Sequence, residues 1–268
     1  MTILAPETRT HSQARTVPPA PIPLSRIVSV ELRKSFDTRS GFWLLAGIGI
    51  AAVLATSAVL LFAPEQELVY DSFAAAIGFP MAVILPMIAI LSVTSEWSQR
   101  SGLTTFTLVP HRGRTVLAKA IVAVAVAVVS MLLAFSIGAV GNVVGSAIAG
   151  VDTVWDLSVE ALALIVLANV IGLLFGFMLG VLIRNSAGAI VAYFVYSLLL
   201  PTLTTVLAIN QEWFADLQAW VDPNYAQSAL FNGSLTGEQW AQLGVTSLVW
   251  LVLPLAVGVL SLLRSEVK

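Results

Sequence analysis

The residues best suited to chemistry lie between Thr94 and Lys119, in the stretch TSEWSQRSGLTTFTLVPHRGRTVLAK, the longest polar and positively charged interruption between apolar segments. Glu96 precedes Arg100 by four residues, a spacing that sets the two charges on one helix face. Pro110 and Gly113 then break the helix. Gly102 lets another backbone come close, and Leu103 and Phe106 offer an apolar anchor. The chemistry of such a set is recognition and not bond making, because an apolar anchor seated in a partner groove dominates interface energy. The alternative reading is a solvated charged turn that only obeys membrane topology.

Bond-making chemistry is poorly provided for. The chain has no cysteine and only two histidines, His11 and His111, so thiolate metal sites and disulfides are excluded and little remains for other metal chemistry. No GxxxxGK[ST] phosphate loop, HExxH or GxSxG motif occurs, so no catalytic residue and no cofactor site is expected in this chain. None of the apolar segments carries a charge or histidine in its middle, where an ion-coupled transporter needs one. Glu160 comes nearest, close to the end of its segment. Serine, threonine and asparagine are present but lack a base partner for nucleophilic catalysis.

The elements that must position the recognition stretch are membrane helices. Hydrophobic residues make up 58% of the 268 and charged ones 10%, far below the roughly 25% charged of soluble domains, so the expected fold is an all-α integral membrane protein. Residues 1–23 hold five of the twelve prolines and read as a disordered tail, without the apolar core of a signal peptide. From 24 to 40, Leu24, Val28, Leu32 and Phe36 recur every fourth position among Arg26, Arg33, Lys34 and Arg39, the pattern of a helix lying in the membrane interface or, alternatively, of a short soluble helix. Six spans are expected at 42–63, 73–94, 119–147, 158–183, 187–208 and 244–263, so that 24–268 forms one transmembrane domain. Pro80 and Pro86 predict kinks in the second span, tolerable where neighbouring helices satisfy the freed backbone. Arg184–Ser186 is so short that spans four and five must form a tight antiparallel hairpin.

Charge orients the set. All 13 Lys and Arg, with five of the 15 acidic residues, fall in the tail, the 24–40 helix, the 95–119 loop, the 184–186 link and the C-terminus; the other ten acidic residues occupy the three remaining loops. The positive-inside rule then puts both termini in the cytoplasm.

Between spans five and six, Trp213, Phe214, Leu217, Trp220 and Val221 follow Asn210 at helical spacing, with Asn210 as a cap and Asp222–Pro223 as the stop; a capping box at Thr236–Gln239 opens the last helix. Short outer helices resting in the interface are expected, an ordered surface loop being the alternative. Asn232–Ser234 matches a glycosylation sequon but reads as a turn. Small residues at four-residue spacing, Gly172, Gly176 and Gly180 in span four and Gly141 and Gly145 in span three, allow close helix approach, within the chain or at a dimer interface. Asn169, one position off the first stripe, reads as an interhelical hydrogen-bonder.

At 94–119 the chain resembles the membrane subunits of ABC-2-type ABC transporters. Their first cytoplasmic loop has a Glu-aromatic start, then Arg or Gly and Thr, then Pro with basic residues and a Lys opening the third span; here these are Glu96, Trp97, Arg100, Gly102, Thr104, Thr105, Pro110, Arg112, Arg114 and Lys119. The outline from 24 to 263 is similar as well. The resemblance implies a permease that works as an exporter, with multi-pass location in the bacterial cytoplasmic membrane. It implies that Glu96, Trp97, Arg100, Gly102, Leu103, Thr104 and Phe106 form a coupling helix docking into a separate ATP-binding subunit. ATP and Mg would sit on that partner, and a second permease, identical or different, would complete the path; no nucleic acid is involved. The substrate does not follow from the resemblance. A stand-alone secondary transporter or channel is the competing reading.

Overall fold

The computed structural model describes residues 22–37, 39–98 and 112–264. Six helices long and apolar enough to cross a membrane make up the bundle, the architecture of a multi-pass membrane protein, and the described residues contain no strand. A short amphipathic helix, α1 (Leu24–Asp37), precedes α2 (Arg39–Phe62) and α3 (Tyr70–Ser98). Then come α4 (Arg112–Ala149), α5 (Val159–Ile183), α6 (Ser186–Asn210) and α10 (Gly237–Arg264), the last preceded by the short helices α7 (Glu212–Ala215), α8 (Gln218–Val221) and α9 (Pro223–Ser228).

Local chemistry sets the boundaries. The Pro23 carbonyl accepts from Arg26 N–H at 3.1 Å to start α1. At 38 residues α4 is roughly 57 Å long against a hydrocarbon core of about 30 Å, a mismatch that requires tilt or ends projecting into water. It ends at Gly150, whose φ of +69° is open to glycine, with Val151 N–H reaching back to Ser146 O at 3.0 Å. Ser158 caps α5 by accepting from Ala161 N–H at 3.0 Å. The capping box of α10 is complete, Thr236 accepting from Gln239 N–H and Gln239 from Thr236 N–H, which opens that helix at Gly237, seven residues before the expected span. Asn210 does not act as a cap: it ends α6, its amide bonded to Val206 O, because α6 runs two residues past the expected span. Gly233, at φ +79°, turns the chain after Asn232.

The core lies where α5 crosses α3 and α4. Ile77, Met81 and Leu85 of α3, Ala127 and Met131 of α4, and Leu173 and Phe177 of α5 are fully buried there. Glycines set the spacing. A methyl group on Gly176 would sit 2.6 Å from the Pro86 carbonyl oxygen, and one on Gly180 would lie 3.3 Å from Val93 Cβ, so these two let α5 lie directly on the α3 backbone. Gly172, one turn further, faces Tyr193 and Gln227 at 3.8 Å. The chain's own helices thus occupy this stripe. Gly141 and Gly145 do the same for α4 against Thr56, Leu60 and Phe73.

Helix α3 runs through Pro80 and Pro86 without a break. Pro86 has no N–H for the Ala82 carbonyl four residues back, and the Tyr193 hydroxyl of α6 donates to that carbonyl at 2.9 Å instead. Asn169, expected to bond across helices, donates to Ile165 O of its own helix at 2.9 Å; its Oδ1 is buried without a partner among the described residues. The nearest acceptor is simply the carbonyl one turn back, within reach of a short amide.

Candidate functional site

The two ends of the bundle differ in charge as the sequence implies. At the acidic end Asp71 N–H donates to Asp156 Oδ1 at 2.9 Å, Asn142 Nδ2 to Val154 O at 2.8 Å, and Glu160 is exposed in the first turn of α5, where an acid suits the helix dipole. The basic end is the candidate site, because the recognition stretch springs from it. Of that stretch, Glu96 and Trp97 close the last turn of α3, while Arg100, Gly102, Leu103, Thr104, Thr105 and Phe106 lie outside the described residues. What is described is the platform from which the stretch leaves and to which it returns.

That platform is built on one buried ammonium. Lys119 lies two turns into α4, 7% exposed, beside the inner face of α1. α1 turns Ile27 and Glu31 inward, one helical turn apart, and leaves Leu32 and Phe36 exposed. Lys119 Nζ meets Glu31 Oε2 at 2.6 Å and also donates to the Ser92 carbonyl of α3 at 3.2 Å. Glu31 Oε1 is taken by Lys34 at 2.8 Å. Burial pushes the Glu31 carboxyl up, but Lys119 and then Lys34 outweigh that and hold it below the ordinary glutamate range. One cation therefore joins α1, the end of α3 and the start of α4.

The remaining segments of this end are stitched on in turn. Arg114 Nη1 donates to Ile22 O at 3.2 Å, a second tie between α4 and the segment before α1. Thr94 Oγ1 and Ser186 Oγ lie 2.8 Å apart, linking α3 to the α5–α6 turn. In that turn Arg184 adopts φ +57°, an unusual conformation for a side-chain-bearing residue, and its Nη2 donates to Ser261 Oγ of α10 at 3.0 Å. Asn185 accepts from Gly188 N–H at 2.9 Å and starts α6. The 184–186 hairpin is as tight as its length requires.

Sequence reasoning placed Lys119 in the motif but missed Glu31 as its partner. The available signal was an acid on the inner side of an otherwise basic amphipathic helix.

Among the described residues no three His, Asp or Glu converge as a metal site requires. An open apolar groove of about 420 Å³ runs along α6, lined by Val191, Phe194, Val195, Leu198, Leu199 and Thr202. All six stand on one helix, so the groove has no opposing wall to enclose a ligand. No family model matches this chain, and no curated protein does either.

Proposed function

We propose that this chain is the permease subunit of an ATP-binding-cassette transporter of the ABC-2 type, an exporter that provides the substrate path while a separate subunit hydrolyses ATP with Mg. The observation that carries this reading is the tripod at Lys119: both helices that flank the 99–111 loop are joined, through one buried ammonium, to the amphipathic helix before the first span. A loop rooted in this way passes a push on itself to three helices at once. The motif residues Glu96, Trp97, Arg100, Gly102, Leu103, Thr104 and Phe106 then form the coupling helix, with Phe106 and Leu103 seated in the partner's groove. Segregation of the basic residues supports a topology with that loop and both termini on the cytoplasmic side of a bacterial membrane. α1 lies in the cytoplasmic interface with Leu32 and Phe36 turned to lipid. A second six-span subunit, identical or related, completes the path.

Affinity capture of the full chain from its native membrane tests the assignment. An ATP-binding-cassette subunit should co-purify, and the chain alone should neither turn over ATP nor move substrate in proteoliposomes; uptake by the chain alone, without ATP, would instead identify a secondary transporter or channel. Orientation is tested with single cysteines in this cysteine-free chain. Positions 67, 154 and 228 should react with an impermeant thiol reagent on intact cells and position 105 should not; labelling at 105 reverses the topology.

A further inference from the structure

Two of the six spans depart from α-helical geometry at matching places. In α6 a π turn occupies Val195–Leu199, and in α10 another occupies Leu248–Val252; each ends two residues before a proline, Pro201 and Pro254. In a regular helix Leu200 N–H would go to Tyr196 O, and the Pro201 ring would crowd Ser197 O. Here Leu200 N–H reaches back five residues to Val195 O, and Leu253 N–H reaches Leu248 O in the same way. The shift strips Tyr196 O of its helical donor, and Pro201 has none to offer.

Both π turns meet the same corner of the outer segment. Asn224 Nδ2 donates to the Tyr196 carbonyl at 3.1 Å, filling the position that the π turn vacates. Trp250, inside the π turn of α10, donates its indole N–H to Val221 O at 2.9 Å. Between them Asp222, 2% exposed, caps α9 by accepting from Asn224 N–H at 2.8 Å, and its other oxygen accepts from the Thr204 hydroxyl of α6, just beyond Pro201. On the near side of the π turn, Tyr193 is fixed to Ala82 O of α3.

We propose that the Val221–Asn224 corner is a clamp that holds α6 and α10 in their π-bulged register, so that release of the outer helices and straightening of α6 are one event. A π turn carries one residue more than an α turn, and one residue is worth about 100° of rotation and 1.5 Å of rise. With Tyr193 fixed, conversion of the turn to α geometry rotates Thr204 away from Asp222 and returns Tyr196 O to Leu200 N–H, which leaves Asn224 without its acceptor. Conversely, losing Asn224 leaves a part-buried carbonyl unmet, a state that proteins avoid. Corner and bulge stabilise each other, which makes them a two-state element with no intermediate position. Its place at the acidic end makes it a device for opening or closing that end. The inference does not depend on the proposed transporter class.

The test uses the full chain, alone in lipid nanodiscs, with spin labels on cysteines at the exposed positions Val159 and Ile209 and distances read by double electron–electron resonance. The parent should give one narrow distance. Asn224→Leu, which keeps bulk and removes the donor, should add a second population displaced by several ångströms. Pro201→Ala, which restores a helical N–H, should populate that same second distance, and the double variant should not exceed the larger single effect. Thr204→Val checks the Asp222 side of the clamp without touching the π turn and should give the same second distance. Thr202→Val is the control, since its exposed hydroxyl bonds only Leu198 O of its own helix, and it should leave the parent distance unchanged. An unchanged distance in both Asn224→Leu and Pro201→Ala, two unrelated new distances, or a shift in the control equal to theirs overturns the clamp.

Discussion

At the scale of single residues, Glu31 and Lys119 tie the basic end together, 88 positions apart in sequence and 2.6 Å apart in space. Breaking a buried pair from one side costs about 3–5 kcal/mol where no other partner remains and less here, because Glu31 keeps Lys34 and Lys119 keeps the Ser92 carbonyl, whereas replacing both by apolar groups of similar size is often neutral. Glu31→Leu and Lys119→Met should therefore each loosen α1, seen as faster hydrogen exchange over 24–37, and the double variant, apolar at both positions, should recover much of the protection. Equal loosening in the double and the singles would mean that the pair contributes only bulk. The pH dependence follows from the lowered Glu31 pKa. Its contribution is fully present above the ordinary glutamate value of about 4.3 and is lost as pH falls through the lower folded value, so α1 should stay docked at neutral pH and release only in acid. The sequence could show a lysine opening a span and an acid on a basic helix. It could not show that they meet, because a contact between distant positions is fixed by how α1 folds back over α4. Asp222 was hidden for the same reason: read along the chain it stops one helix, whereas in space it caps the next and holds Thr204.

At the scale of elements, length and hydropathy made the six spans legible, because crossing a bilayer demands about 20 apolar residues whatever they pack against, but α4 and α10 begin seven residues before the expected starts at 119 and 244. The helix departures were half legible. Pro86 announced an unmet carbonyl, and the structure supplies Tyr193 for it; the π turns before Pro201 and Pro254 were not legible in the sequence, because a proline within a span can equally sit in an unbroken α-helix, as Pro80 and Pro86 do in α3. The glycine stripe separates in the same way. Gly176 lies against backbone that cannot yield, so Gly176→Ala should destabilise by roughly 1–3 kcal/mol through overpacking. Gly172 has 3.8 Å to its nearest side chains, and Gly172→Ala should be nearly neutral. Thermal unfolding in detergent checks both, and equal shifts would contradict this division of the stripe.

At the scale of the whole molecule, one end is acidic and carries the short helices α7, α8 and α9, and the other is basic and gathered on Lys119. Between them α5 carries the core, and α6 is the least buried of the six spans. α3 and α4, which flank residues 99–111, pack on α5 where Gly176 and Gly180 rest on α3, and under the proposed function this packing is the route by which a push on that segment reaches the core. The most direct measurement is ATP turnover by the captured complex, with Glu96→Ala, Arg100→Ala and Phe106→Ala introduced singly and membrane insertion monitored in parallel. Normal insertion is expected in all three, with association or substrate-stimulated turnover reduced at least about tenfold in two or more, Phe106→Ala among them, as removal of a buried anchor should give. Parental association and turnover in all three variants would reduce the loop to a topological tether and contradict the account.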